Sequence, residues 1–214
     1  MSETMPESFV ESVTGVKFPA SLTSPGSSTQ LAFAGAGVRE KKVAFINVKV
    51  YAVALYVESG VKAVLAAWRG QSVSSLSNNS AFFNSALSAP VQKALQIVLV
   101  RDITGAQFWG ALSESLQPRL KAAKAGEAGD KALSELGKVF QTRPLTNGMS
   151  ITLNWIHPST LQVAVAPSPS GKATVEASID NKALVSSIFD IYVGDQPISP
   201  GAKFQFASGL ARFM

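Results

Sequence analysis

Residues 35–58 read GAGVREKKVAFINVKVYAVALYVE, and the pattern inside this stretch decides the fold. Within VAFINVKVYAVALYV (43–57) the even positions Ala44, Ile46, Val48, Val50, Ala52 and Ala54 are all apolar, while the odd positions carry Asn47, Lys49 and Tyr51 in the middle. Successive side chains of a strand point to opposite faces. The spacing therefore predicts one long strand with an apolar face for a core and a second face offering polar groups. Gly35 and Gly37 predict a hairpin ahead of it, which sets Arg39 across from that strand. Lys49 and Tyr51, two residues apart, then share a face on which Arg39 converges. A buried unpaired cation is costly, so Arg, Lys and Tyr aimed at one layer call for an anionic partner. The same residues also fit a rim ion pair of Arg39 with Glu40 or Glu58 beside a core tyrosine bonded to a carbonyl. Periodicity leaves both readings open.

Outward from this stretch, residues 1–15 are polar and expected to form a flexible N-terminal segment. Residues 16–18 and 30–35 read as strands around a Pro/Ser/Gly turn region. VKAVLAAW (61–68) reads as a helix, and a Ser/Asn-rich connection (72–80) leads to a short helix at Ala81–Leu87. KALQIVLVR (93–101) is a strand. Thr104 is a fitting N-cap for GAQFWGALSESLQPRL (105–120), whose Phe108, Ala111, Leu112, Ser115 and Arg119 fall on one side. Residues 121–130 read as a flexible link before the helix ALSELGKVF (132–140). MSITLNWI, LQVAVA and ATVEASI are strands separated by the turn segments HPST and PSPSGK. NKALVSSIFDIYVG (181–194) is a helix closed by Gly194, and another helix follows Ser199-Pro200. Six or seven strands with helices in two blocks, and no strand–helix alternation, predict an α+β fold with a mainly antiparallel sheet. A single domain is expected over residues 16–214.

Composition removes several function classes. The 214 residues contain no cysteine and one histidine, His157, which excludes disulfide scaffolds, thiol catalysis and His-rich metal cages. No metal or other cofactor is expected. The formal net charge is +5, yet Lys41-Lys42 is the only adjacent basic pair and no basic stripe alternates with aromatics, so nucleic acid is not an expected partner. The longest candidate apolar run, Tyr51 to Val57, is far short of the roughly 18 residues a membrane span needs, and a soluble protein is expected. The acidic N-terminus has neither a secretory nor a transit-peptide pattern. The GAG of residues 35–37 stops short of a dinucleotide-binding loop. His157, before Pro158, reads as a turn residue, and Glu127 and Asp130 read as solvated.

Three blocks in order, GAGVREKKVAFINVKVYAVALYVE, KALQIVLVRDITGAQFWGALSESL and NKALVSSIFDIYVGDQPISP, resemble the chalcone isomerase fold family. The similarity runs from about Val16 to the C-terminus. It implies a large, mainly antiparallel sheet covered by a layer of helices. The family holds chalcone–flavanone isomerases, non-catalytic isomerase-like proteins that assist flavonoid enzymes, and plastid fatty-acid-binding proteins. In the isomerases an arginine polarises the substrate while a threonine and a tyrosine organise hydrogen bonds to the ketone; an asparagine and a Ser/Thr grip a ring hydroxyl. By resemblance, the arginine is Arg39 and the threonine is replaced by Tyr51. The tyrosine becomes Phe108, the asparagine Ser115 and the Ser/Thr Val185.

Phe108 and Val185 donate no hydrogen bond, so the resemblance implies a dismantled isomerase network. Arg39 with Tyr51 instead matches the carboxylate anchor of the fatty-acid-binding branch. The expected function is therefore non-enzymatic binding of a medium- to long-chain free fatty acid such as laurate, linked to fatty acid metabolism. Arg39 and Tyr51 hold the head and Lys49 assists. Phe108, Leu112, Ser115, Val185, Ile188 and Phe189 are the expected tail wall, the last two on helical spacing alone. The alternative is a weak chalcone isomerase, or an inactive ancestral-like form, acting on a chalcone through Arg39 and Tyr51. Resemblance also implies the plastid stroma if a transit peptide is removed, and otherwise the cytoplasm.

Overall fold

The computed structural model describes residues 7–214. Three short strands open it, β1 (Ser8–Val10), β2 (Lys17–Pro19) and β3 (Ser21–Thr23), followed by the long strands β4 (Gln30–Val43) and β5 (Ile46–Glu58). Two 3₁₀ turns flank α1 (Lys62–Leu65), and α2 (Val73–Ser77) and α3 (Ser80–Ser88) follow. Next come β6 (Lys93–Leu99), β7 (Ile103–Thr104), α4 (Gly105–Ala122), α5 (Gly126–Phe140) and β8 (Pro144–Leu145). The chain ends with β9 (Ser150–Ile156), β10 (Thr160–Ala166), β11 (Thr174–Asp180), α6 (Lys182–Val193) and α7 (Pro200–Ala211). Seven strands form one antiparallel sheet in the order β11-β10-β9-β6-β5-β4-β3. This is the expected α+β architecture.

Helices cover one face of that sheet. Val53, Leu55 and Val57 of β5 point into this main core against residues such as Leu116, Leu136, Val185, Ile188 and Phe206. Ala52, Ala54 and Tyr56 point the other way, into a smaller cluster with Phe18, Leu31, Ala94 and Val98. The β1–β2 hairpin closes over that second face, where Phe9 stacks on Phe33 at 4.4 Å and the Tyr56 hydroxyl donates to Pro19 O. Residues 8–10 are thus paired strand, where the composition suggested a flexible segment; residues 1–6 lie outside the described residues. The polar link expected at 121–130 also shrinks. Helix α4 runs to Ala122 and α5 starts at Gly126, because Leu120 and Ala132 are buried between the two helices and the sheet.

The two glycines of the opening stretch do not form the hairpin turn. They stand inside β4, and the turn is Ala44–Phe45, between the paired residues Val43 and Ile46. Their role is close approach. α7 crosses β4 at Gly35, whose φ is +125°, and a side chain there would overlap the backbone of Gln205. From the other side Gly209 of α7 lies on the carbonyl of Ala34. Ser199 completes the seam: its hydroxyl caps α7 by accepting from Ala202 N and donates to Val38 O at 2.6 Å.

The β4–β5 pair is longer than the sheet that holds it. β6 pairs with β5 only over Tyr51–Val57, and β3 reaches β4 only near residues 30–32. Residues 40–49 therefore pair only with each other, as a two-stranded arm beyond the sheet edge, and Val50 O accepts from Val100 N at its base. Where the arm leaves, the register shifts: Arg39 faces Tyr51, but Glu40 faces Lys49. Val50 is the extra residue of a bulge, which re-aims the chain on either side of it.

Candidate functional site

The bulge decides what the arm presents. Arg39, Lys41 and Val43 alternate onto one face of β4, and Val48 and Val50 onto the same face of β5. Because Val50 is inserted, its neighbour Tyr51 also faces that side. Unbroken alternation placed Tyr51 with Lys49; in the structure the two diverge. Lys49 lies on the opposite face, where its amine donates to Val13 O at 2.9 Å. Its expected part at the head group is corrected accordingly.

The face so formed lines a cleft of about 330 Å³ between the arm and α4, at the lower end of the roughly 300–1,000 Å³ usual for small-molecule pockets. α4 contributes Phe108, Ala111, Leu112 and Ser115. Its start is fixed by a capping box in which Thr104 accepts from Gln107 N and the Gln107 side chain accepts from Thr104 N. The last turn of α6 adds Ile191 and Tyr192, and Ile198 follows it; Arg101, Asp102 and Ile103 form a further wall. The arm side is exposed at Lys41 and Val43, whereas the inner end stops at buried Tyr51 and Tyr192. A broader depression lies on the opposite face of the arm but contains no buried phenol.

At the inner end the hydroxyls of Tyr51 and Tyr192 are 2.8 Å apart. Phe108 meets the Tyr51 ring edge-on at 6.3 Å and Phe140 behind it at 5.0 Å, so the phenols rest on an apolar floor. Burial pushes Tyr51 up to about 12, against the opposing pull of the Tyr192 hydrogen bond and of Arg39. Burial likewise raises Tyr192 well above the usual tyrosine range, helped by Tyr51 and opposed by Arg39. Both phenols are therefore protonated near neutral pH, and neither is a base. Two hydroxyls carry two protons, and their mutual bond uses one. The second is left for an acceptor in the cleft.

Arg39, directly across from Tyr51 in the ladder, supplies positive charge beside them. Its Nη1 donates to the carbonyl of Glu40, and among the described residues it forms no ion pair with Glu40 or Glu58. A guanidinium holds five N–H donors, so donors remain. A fixed cation beside a protonated phenol pair, at the end of an otherwise largely apolar cleft, suits the oxygen atoms of an organic anion.

Of the expected tail wall, Phe108, Leu112 and Ser115 line the cleft. Val185, Ile188 and Phe189 do not. They are sealed in the main core, with Phe189 against Trp155 at 5.3 Å. Helical spacing identified the apolar face of α6 correctly, but most of that face packs on the sheet and only its last turn reaches the cleft. The Ser115 hydroxyl donates to Ala111 O of its own helix. Arg119, on the same side of α4, pairs with Asp190 at 2.7 Å and ties α4 to α6. Tyr192 is the residue the sequence reading missed. Its signal was a lone phenol one turn beyond Ile188 at the end of an apolar helix. Among the described residues no cluster of His, Asp or Glu is arranged to hold a metal ion.

The comparisons with known proteins bear on this geometry. The family model of chalcone–flavanone isomerase matches residues 13–213. The chain belongs to that family. A chalcone–flavanone isomerase of Gentiana triflora is 31% identical over 98% of both chains, and one of Oryza sativa subsp. japonica is 30% identical over 94% of this chain and 89% of its own. The crystal structure of a fatty-acid binding protein of Arabidopsis thaliana superposes with a TM-score of 0.78, covering 97% of this chain and 98% of that one at 24% identity. The chalcone isomerase fold read from the three sequence blocks is thus the fold of the chain.

Proposed function

We propose that the cleft binds a free fatty acid of medium to long chain without turning it over. The observation that carries this reading is the Tyr51–Tyr192 pair, buried and protonated, beside the Arg39 guanidinium at the inner end of the cleft. A charge-assisted hydrogen bond to a carboxylate contributes about 1.5–3 kcal/mol. About ten methylenes of a dodecyl tail contribute roughly 0.8 kcal/mol each before ordering costs. The tail then provides most of the affinity and the head group sets orientation, running the tail outward along Val50, Leu112, Ala111 and Val48. The fold-level likeness to a fatty-acid binding protein supports this ligand class.

A second reading is weak chalcone isomerisation, which the names of the sequence relatives favour. Arg39 and a phenol donor also suit a developing oxyanion. Against it, Phe108 carries no hydroxyl, the Ser115 hydroxyl is turned back to its helix, and Val185 is buried out of reach. Two measurements separate the readings. Arg39→Ala weakens laurate binding by at least about tenfold in calorimetry; unchanged affinity refutes the head-group site. Chalcone absorbance in the presence of concentrated protein decays no faster than in buffer; a faster decay abolished by Arg39→Ala would install the isomerase reading instead.

A further inference from the structure

The tip of the arm contradicts the ordinary chemistry of a hairpin in water. A two-residue turn favours Asn, Asp and Gly, yet here it is Ala44–Phe45, with Ala44 at a φ of +54°. Phe45 is 98% exposed, Ile46 69% and Val43 53%. Elsewhere in the described residues exposed large apolar side chains are single or, at Val10 and Val13, a pair, whereas these three sit within four residues at the far end of a projecting element. Behind them comes a cationic collar. Residues 39–49 hold Arg39, Lys41, Lys42 and Lys49 against the single carboxylate of Glu40. Arg101 and Asp102, facing the arm from across the cleft, offset one another.

An apolar point with long basic side chains set just behind it is the arrangement that enters the headgroup region of a bilayer, because the apolar tip leaves water while lysine amines reach phosphates. Tyr51 is six residue steps from Phe45, so at about 3.3 Å per step the tip stands up to roughly 20 Å from the anion-holding end. The same geometry puts the open side of the cleft, at Lys41, Val43 and Val48, next to the tip.

We propose that the tip of the β4–β5 arm docks this protein on anionic lipid bilayers. Phe45 and Ile46 enter the headgroup boundary, and Lys41 and Lys42 lie on acidic headgroups. The mouth of the cleft then faces the lipid. Its use as a loading route for an acyl ligand rests on the fatty-acid reading above; the docking does not.

The test is co-sedimentation of the full chain with vesicles of phosphatidylcholine, alone or mixed with phosphatidylglycerol. The chain pellets with the mixed vesicles, stays in solution with phosphatidylcholine alone, and is released by high salt. Phe45→Ser lowers the mixed-vesicle affinity by at least about tenfold, and Lys42→Glu abolishes the preference for anionic lipid. Neither residue touches the cleft, so both variants bind laurate in free solution as the parent does. A Phe45→Trp variant reports insertion through a blue shift of its emission on adding mixed vesicles. The proposal is overturned if the parent stays in the supernatant with both vesicle types, or if Phe45→Ser sediments like the parent. It is equally overturned if sedimentation velocity shows a dimer that Phe45→Ser dissolves, since the tip is then a contact between copies. Laurate binding without vesicle binding sinks the docking alone, and vesicle binding without laurate binding sinks the ligand reading alone.

Discussion

One pair of strands does two different jobs in its two halves. Inside the sheet, β4 and β5 are covered on both faces, and their side chains divide between the main core and the smaller cluster under the β1–β2 hairpin. Beyond Tyr51 the same strands have no third strand beside them and turn one face to a cleft and the other toward solvent. The bulge at Val50 is the boundary. It shows that a cleft wall can be built on a core strand without opening the core, provided one inserted residue switches which face the outer half presents.

The largest effect that tests this division is on stability. Leu55→Ala, in the inner half, costs about 2–5 kcal/mol in denaturant unfolding. Phe45→Ala, in the arm, changes stability by no more than about 0.5 kcal/mol. Equal costs would mean that the arm is part of the core.

Next is the alkaline limb of the stability curve. A Tyr51 held near 12, above the usual tyrosine value of 10.0, keeps its proton in the folded state where the unfolded chain loses it. Its contribution is complete below pH 10 and is lost as pH rises through 12, on the order of 3 kcal/mol. Tyr51→Phe lessens that dependence by the Tyr51 share and leaves the share of Tyr192, which burial also raises; an unchanged slope would place the Tyr51 phenol in solvent. Tyr192→Phe sharpens the comparison at the boundary itself. It takes one hydroxyl from the pair and lowers laurate affinity by about 1.5–3 kcal/mol, with kinetics and affinity read by stopped-flow and calorimetry. The smallest expected effect is that of Lys49→Ala, which leaves laurate affinity unchanged because Lys49 is on the face away from the cleft. A loss there would mean that the strand alternates unbroken through Val50.

Sequence alone carried the class of the fold because burial imposes period-2 and helical patterns, and these are plain in residues 51–57, 93–99 and 150–156. It carried Arg39 and Tyr51 as residues of one strand pair, but not their register, which the Ala44–Phe45 turn and the bulge at Val50 set. It missed the turn itself, since Gly35 and Gly37 serve the crossing of α7, a demand made by residues far along the chain. The bulge was equally hidden. Nothing local to INVKVYA marks one valine as surplus, and so Lys49 was placed on the wrong face. Val185, Ile188 and Phe189 show a further limit: spacing tells which face of a helix is apolar, not whether a sheet or a cavity meets it.

The bond from the Ser199 hydroxyl to Val38 O sits one residue before Arg39. It nails β4 to the rigid C-terminal helix at the spot where support from the rest of the sheet ends. Any swing of the projecting half is therefore that of a lever about a fulcrum at Val38, with the Arg39 guanidinium almost on the pivot. Displacement grows toward the tip, so a swing moves the open side of the cleft more than its inner end.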